Sequence, residues 1–251
     1  MSPRGAEVGR IVECVDRAPS VARTRERTAI SLRRNLVAVV LIASSVVVFA
    51  PRGLAGPLPG QVVTVQAASS HARTAVLRTW QLDADGHYVR VDGPFVAFVG
   101  WRGVGHTVEG AERTPSGVFT LTQAFGNEAN NGTRLQYFRA GPDDWWDEDP
   151  NSAHYNRHVI SRDSPGAGSE NLFYSGAAYA HAVVINYNMN PVVKGAGSGF
   201  FLHVSDGLPT EGCVAIPARD LDAVMRWLDP AEHPVISIGV GAEAMAVLRR
   251  S

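Results

Sequence analysis

From Ala75 onward, apolar and polar positions alternate in short runs broken by turn residues, the period-2 pattern of half-buried strands. Ala75–Leu82 is the first run. It stops at Asp83-Ala84-Asp85-Gly86, a turn whose glycine suits a positive φ. His87–Val91 and Phe95–Trp101 read as two strands separated by Asp92-Gly93-Pro94, and Thr114-Pro115-Ser116-Gly117 turns the chain into Val118–Leu121. His158–Ser161, Ala180–Tyr187, Gly199–Val204 and Val214–Ile216 follow as strands, and Val235–Val240 is the last. One segment breaks this period. Leu221, Val224, Met225 and Leu228 fall at offsets 0, 3, 4 and 7, the face of a helix that starts at Pro217 and stops near Asp229-Pro230. Many short strands and few helices predict a mainly β domain with at least one short helix.

Two regions lack a clear period. Residues 123–157 read as a long irregular stretch containing Trp145-Trp146-Asp147-Glu148-Asp149-Pro150 and His154-Tyr155-Asn156, and loops this long are often binding loops. Residues 57–74 are rich in Pro, Gly, Ala, Ser and Gln and are expected to be a linker. The expected division is therefore 1–56 as a leader, 57–74 as a linker and 75–251 as the domain.

The leader reading rests on charge followed by hydrophobicity. Eight arginines and four acids lie between Arg4 and Arg34, and Leu36–Ala50 then runs fifteen residues without a charge. That is the layout of an export signal, with Gly53-Leu54-Ala55 or Val65-Gln66-Ala67 as cleavage sites. The run is shorter than the ~20 residues of a spanning helix, and an uncleaved N-terminal membrane anchor is the alternative. Either reading places residues from about 57 onward outside the cytoplasm, secreted or held at the membrane.

Composition adds less. The chain has 251 residues, 45% hydrophobic and 19% charged, an ordinary globular composition. From residue 57 onward there are 14 basic and 20 acidic residues, a net charge of −6 that argues against a nucleic-acid partner.

Cysteine usage narrows the chemistry. Cys14 lies in the leader, so Cys213 is the one thiol of the expected mature chain. It sits in Thr210-Glu211-Gly212-Cys213-Val214, ten positions after His203. A lone thiol is either a small buried hydrophobe or a reactive group. An imidazole within about 3–4 Å can take its proton, and backbone N–H groups of Gly212 and Cys213 can bind an oxyanion. Asp206 or a backbone carbonyl would orient His203. His154 and His158 stand four apart beside Asp147, Glu148 and Asp149, but no glutamate lies between them as a zinc-peptidase helix requires. Lys194 and its glycine run do not form a phosphate loop, and no metal or cofactor is expected.

These segments resemble a known family. Gly197-Ser198-Gly199-Phe200-Phe201-Leu202-His203-Val204, followed by Pro209-Thr210-Glu211-Gly212-Cys213-Val214, is similar to the core of the YkuD-type L,D-transpeptidase catalytic domain. Glu109–Phe119, Trp146–Pro150 with Tyr155-Asn156, and Val214–Pro217 leading into Trp227–Pro230 extend the resemblance over about 75–240. It departs from the common form at two places: Glu211 stands where His precedes Gly-Cys, and Ala215 where Arg or Asn follows. The resemblance implies a mainly β, sandwich-type catalytic domain with a short helix after the cysteine, acting on peptidoglycan stem peptides. Cys213 is the implied nucleophile and His203 its base, with Thr210 and Gly212 shaping the turn and oxyanion site. Tyr155, Asp149 and Ser198 are placed along the substrate groove. The implied reaction releases D-alanine, forms a thioester and passes the acyl group to an amine, giving a 3→3 cross-link. Carbapenems are implied inhibitors. Hydrolysis by the same Cys-His pair, or a non-catalytic wall-binding role, are the alternatives. Glu211 is expected to raise the thiol pKa.

Overall fold

A computed structural model describes residues 58–249. The basic leader, its apolar run and the expected cleavage site at 53–55 lie outside the described residues. The chain forms β1 (Gln61–Ala67), β2 (Thr74–Leu82), β3 (Tyr88–Phe98), β4 (Val104–Gly105), β5 (Thr114–Pro115), β6 (Gly117–Gly126) and β7 (Gln136–Arg139). It continues with β8 (Asp144–Asp147), β9 (Arg157–Ile160), β10 (Glu170–Asn171), β11 (Ala182–Ile185), β12 (Phe201–Val204) and β13 (Val214–Ile216). Helix α1 (Ala218–Trp227) and β14 (Val235–Val240) complete it. The domain is mainly β with one short α-helix after Cys213, as the alternation predicts.

The main sheet has nine strands in the order β11-β12-β13-β3-β2-β1-β14-β6-β7. β6 also pairs with β11, so the ladder folds round onto its own first strand. A small sheet, β10-β8-β9, stands apart from it. β7 and β8 fall within the stretch expected to be irregular. β7 and β8 are only four residues each, too short for a periodic signal, and Trp146 is buried on β8.

The linker expectation is corrected at residues 61–67. They form β1, parallel to β14 and antiparallel to β2. Val63 and Val65 enter the main core, while Val62 packs with Val235 and Val247 on the other side. A strand buried on both faces loses the apolar–polar alternation that betrays a surface strand. Burial of the second cleavage candidate, Val65-Gln66-Ala67, in this strand also removes it as a signal-release site: cutting there would split the sheet. The two strands expected around Asp92-Gly93-Pro94 are one, β3, with its register to β2 interrupted there.

Pro217 takes the position just before α1 rather than its first turn. Leu221, Val224 and Met225 are fully buried, each contributing on the order of 1.5–3 kcal/mol of transfer free energy. Asp220 in the first turn and Arg226 in the last complement the helix dipole. The helix packs against β12, the strand that carries His203.

Candidate functional site

The site starts from strand register. β12 and β13 are parallel neighbours with Leu202 opposite Val214 and His203 opposite Ala215. Because side chains alternate between faces, Cys213, one residue before β13, shares its face with Phe201 and His203. The thiol and the imidazole are thereby diagonal neighbours on one face. The Cys213 Sγ lies 3.3 Å from the Gly199 carbonyl, to which it donates, and 3.3 Å from the Phe201 N–H, from which it accepts. Both groups face a cavity of about 1000 Å³, which Ser198, Thr210 and Gly212 also line.

The turn before Cys213 is clamped. Thr210 Oγ1 donates to the Cys213 carbonyl at 2.7 Å and accepts from the Gly212 N–H at 3.2 Å. Thr114 Oγ1 donates to the same carbonyl at 3.2 Å. Thr210 itself bridges to Gly100, beyond the end of β3. Gly212 has φ 150°, and a Cβ there would stand 2.6 Å from the Phe200 ring. Glycine is therefore required at this position. Its N–H is committed to Thr210, so in this conformation Gly212 acts as a turn residue and does not offer the oxyanion donor expected of it.

His203 Nδ1 lies 2.9 Å from the Val204 carbonyl. A carbonyl only accepts, so Nδ1 carries the hydrogen and Nε2 is the basic nitrogen. A backbone carbonyl thus orients the ring, one of the two alternatives the sequence left open. The ring packs edge-to-face with Tyr179, centroids 5.4 Å apart. Tyr179 closes the 3₁₀ turn Gly176–Tyr179 and donates to Glu170 Oε2 at 2.7 Å.

Burial favours the neutral form of both Cys213 and His203, and neighbouring acids reinforce it at Cys213. Burial pushes the Cys213 thiol well above its usual range, and Glu170, Glu148 and Glu211 push it further. The Glu211 effect expected from sequence is present, behind burial and two other acids. Burial lowers the His203 pKa, against the opposing pull of the Val204 carbonyl, Asp206 and the Ala178 carbonyl. Glu148 is pushed up to about 9, first by burial and then by Glu170, Glu109, Glu211 and Asp147.

Two sequence-predicted groove residues are elsewhere. Tyr155 is buried, does not line the cavity, and donates to Glu109 while accepting from the Gly197 N–H at 3.1 Å. It buttresses Glu109, which Ser198 Oγ also contacts at 2.8 Å. Asp149 caps the Asn151 N–H at 2.8 Å and stays outside the cavity lining. Its neighbours Glu148 and Pro150 reach the cavity instead. A single acid in an alternating β8 extension faces one side only, and the acid run in the sequence did not say which. His158 pairs with Asp144 at 2.6 Å and stacks on Phe138, engaged in packing away from His154. Glu109, Glu170 and Tyr179 line the cavity without having been expected there. Glu109 stood in a segment already recognised as similar to the family, which was the available signal; Glu170 and Tyr179 had none.

A thiol just before β13 and an imidazole on the neighbouring strand β12 line one cavity of a mainly β domain. The family model of the YkuD L,D-transpeptidase catalytic domain matches residues 77–236, and the chain belongs to this family. No curated protein and no solved structure matches the chain.

Proposed function

We propose that the chain is an extracytoplasmic cysteine acyltransferase that cross-links peptidoglycan stem peptides, with Cys213 as nucleophile and His203 as base. The observation that carries this reading is the face shared by Cys213, just before β13, and His203 on the parallel strand β12, both lining the cavity. Nε2 of His203 takes the thiol proton as sulfur attacks the scissile carbonyl, since burial favours the neutral form of both. The tetrahedral intermediate collapses to a thioester as the imidazolium gives its proton to the departing D-alanine amine. An amine of a second stem then attacks the thioester, His203 again taking the proton, and the sulfur leaves. The product is a 3→3 cross-linked dimer.

Intact-mass spectrometry tests this. The full chain is incubated with a disaccharide-tetrapeptide, and separately with a carbapenem, beside Cys213→Ala. The expected result is an adduct on the unsubstituted protein alone, with a cross-linked dimer in the tetrapeptide reaction. An adduct accompanied only by shortened tripeptide would assign the chemistry to hydrolysis. No adduct with either probe would remove the enzymatic reading and leave a wall-binding role.

A further inference from the structure

Strand register puts Cys213 and His203 on one face, but it does not decide where the sulfur points on that face. Two backbone groups of one short stretch decide that. The sulfur donates to the Gly199 carbonyl and accepts from the Phe201 N–H, each at 3.3 Å. Phe201 opens β12 and is held by its pairing with β11. Gly199 precedes the strand and has φ 66°. The place of its carbonyl is therefore set from outside the sheet.

Two adjacent residues from earlier in the chain set it. Asn156 Oδ1 accepts from the Gly199 N–H at 3.2 Å, and Tyr155 Oη accepts from the Gly197 N–H at 3.1 Å. Both residues are buried. The Asn156 amide is saturated. Its oxygen also accepts from Trp146 Nε1 at 3.0 Å, and its nitrogen donates to the Tyr187 carbonyl at 3.0 Å and the Asn188 carbonyl at 2.9 Å. A side-chain amide offers two acceptor and two donor positions, and here each has a partner. One amide thus ties β8 and residues 187–188 to the stretch that carries the acceptor of the thiol. The backbone suits the residue, since φ is 58° at Asn156, a region that asparagine enters more readily than most residues. Tyr155 gives its own proton to Glu109, which leaves its oxygen to accept from Gly197. Asn188 Nδ2 holds the same glycine from its other side, donating to the Gly197 carbonyl at 2.9 Å.

Neither Tyr155 nor Asn156 lines the cavity, so any part they take in the chemistry runs through the thiol. We propose that Tyr155 and Asn156 are positioning residues for the Cys213 sulfur: they hold residues 197–199 so that the Gly199 carbonyl keeps the thiol on the face it shares with His203. The inference rests on the reading of Cys213 as nucleophile. Its consequence is a separation of effects. Affinity belongs to the residues that line the cavity, whereas the rate at which a bound acyl group reaches sulfur depends on a buried amide and a buried phenol behind it. Misplacing a nucleophile by about 1 Å can cost on the order of a hundredfold in rate.

The test follows acylation of Cys213 by intact mass on the full chain, with a carbapenem over a range of concentrations. Tyr155→Phe and Asn156→Gly are compared with the unsubstituted protein. Phenylalanine keeps the ring and gives up the oxygen. Glycine keeps the left-handed backbone and gives up all four bonds. A denaturant midpoint is measured for each, and rates are taken where the variant is folded. If Asn156→Gly does not fold, Tyr155→Phe decides alone. The rate at saturation is expected to fall about tenfold in Tyr155→Phe and about a hundredfold in Asn156→Gly, with the half-saturating concentration within about twofold of the parent. A merely structural role would lower the midpoint and leave the saturating rate of the folded protein unmoved. An unchanged saturating rate in the folded variants, or a loss expressed only in the half-saturating concentration, would overturn the proposal. No adduct on the unsubstituted chain would instead overturn the reading of Cys213 as nucleophile, a separate observation.

Discussion

Cys213 sits in surroundings that oppose its ionisation. Its thiol lies in a half-buried residue, the charges of Glu170, Glu148 and Glu211 disfavour its thiolate, and the Phe201 N–H favours it. Site-resolved alkylation of Cys213 by iodoacetamide is therefore expected to climb steadily with pH through 9, without a plateau near neutrality. A plateau below pH 7 would show a resting thiolate and contradict this account. Glu170→Gln removes the largest like charge, so it should raise the alkylation rate at pH 8 severalfold. Cys213 and His203 stood out in the sequence because they lie ten positions apart, with the glycine that φ 150° demands between them. Glu211 was legible too, but Glu170 was not: it reaches the cavity from β10, far upstream, and no local pattern signals a contact made only by the closed fold. Tyr155 and Asp149 mark the opposite error, since a family motif names a residue without saying which way its side chain turns.

At the scale of elements, periodicity succeeded where one face meets water and failed where neither does. α1 was legible because Leu221, Val224 and Met225 are buried while their neighbours are not. β1 was hidden because its valines serve cores on both sides and its flanks are rich in Gly and Ser. β3 looked like two strands because Gly93-Pro94 interrupts its register without ending it. Leu221 is fully buried in the main core against the sheet. Leu221→Ala is expected to cost about 2–5 kcal/mol, read as a lower denaturant midpoint at an unchanged slope. A loss under 1 kcal/mol would mean that α1 contributes little to holding β12. Because α1 packs on β12, the same variant should also slow acylation of Cys213 by displacing His203.

For the whole molecule, the acids make stability depend on pH. Glu148 keeps its proton in the folded state up to about 9, while the unfolded chain releases it near 4.5. Between those values the native state binds more protons, so stability falls as pH rises. His203 acts in the opposite sense: its folded pKa is depressed, so its contribution is lost as pH falls through 6.5 and below. Comparing Glu148→Gln with the unsubstituted chain separates the two. The variant should gain in melting temperature, relative to the parent, as pH is raised from 5 to 9. A constant difference across that range would show that Glu148 ionises normally. The connection from β12 to β13, residues 205–213, has a further consequence. It is short for a link between parallel strands and ends in Cys213 itself, whose place is fixed both by the Thr210 clamp and by the register of β12 against β13, which β11 holds on one side and β3 on the other. A change confined to Asp206–Pro209 therefore leaves the face that Cys213 and His203 share as the sheet sets it.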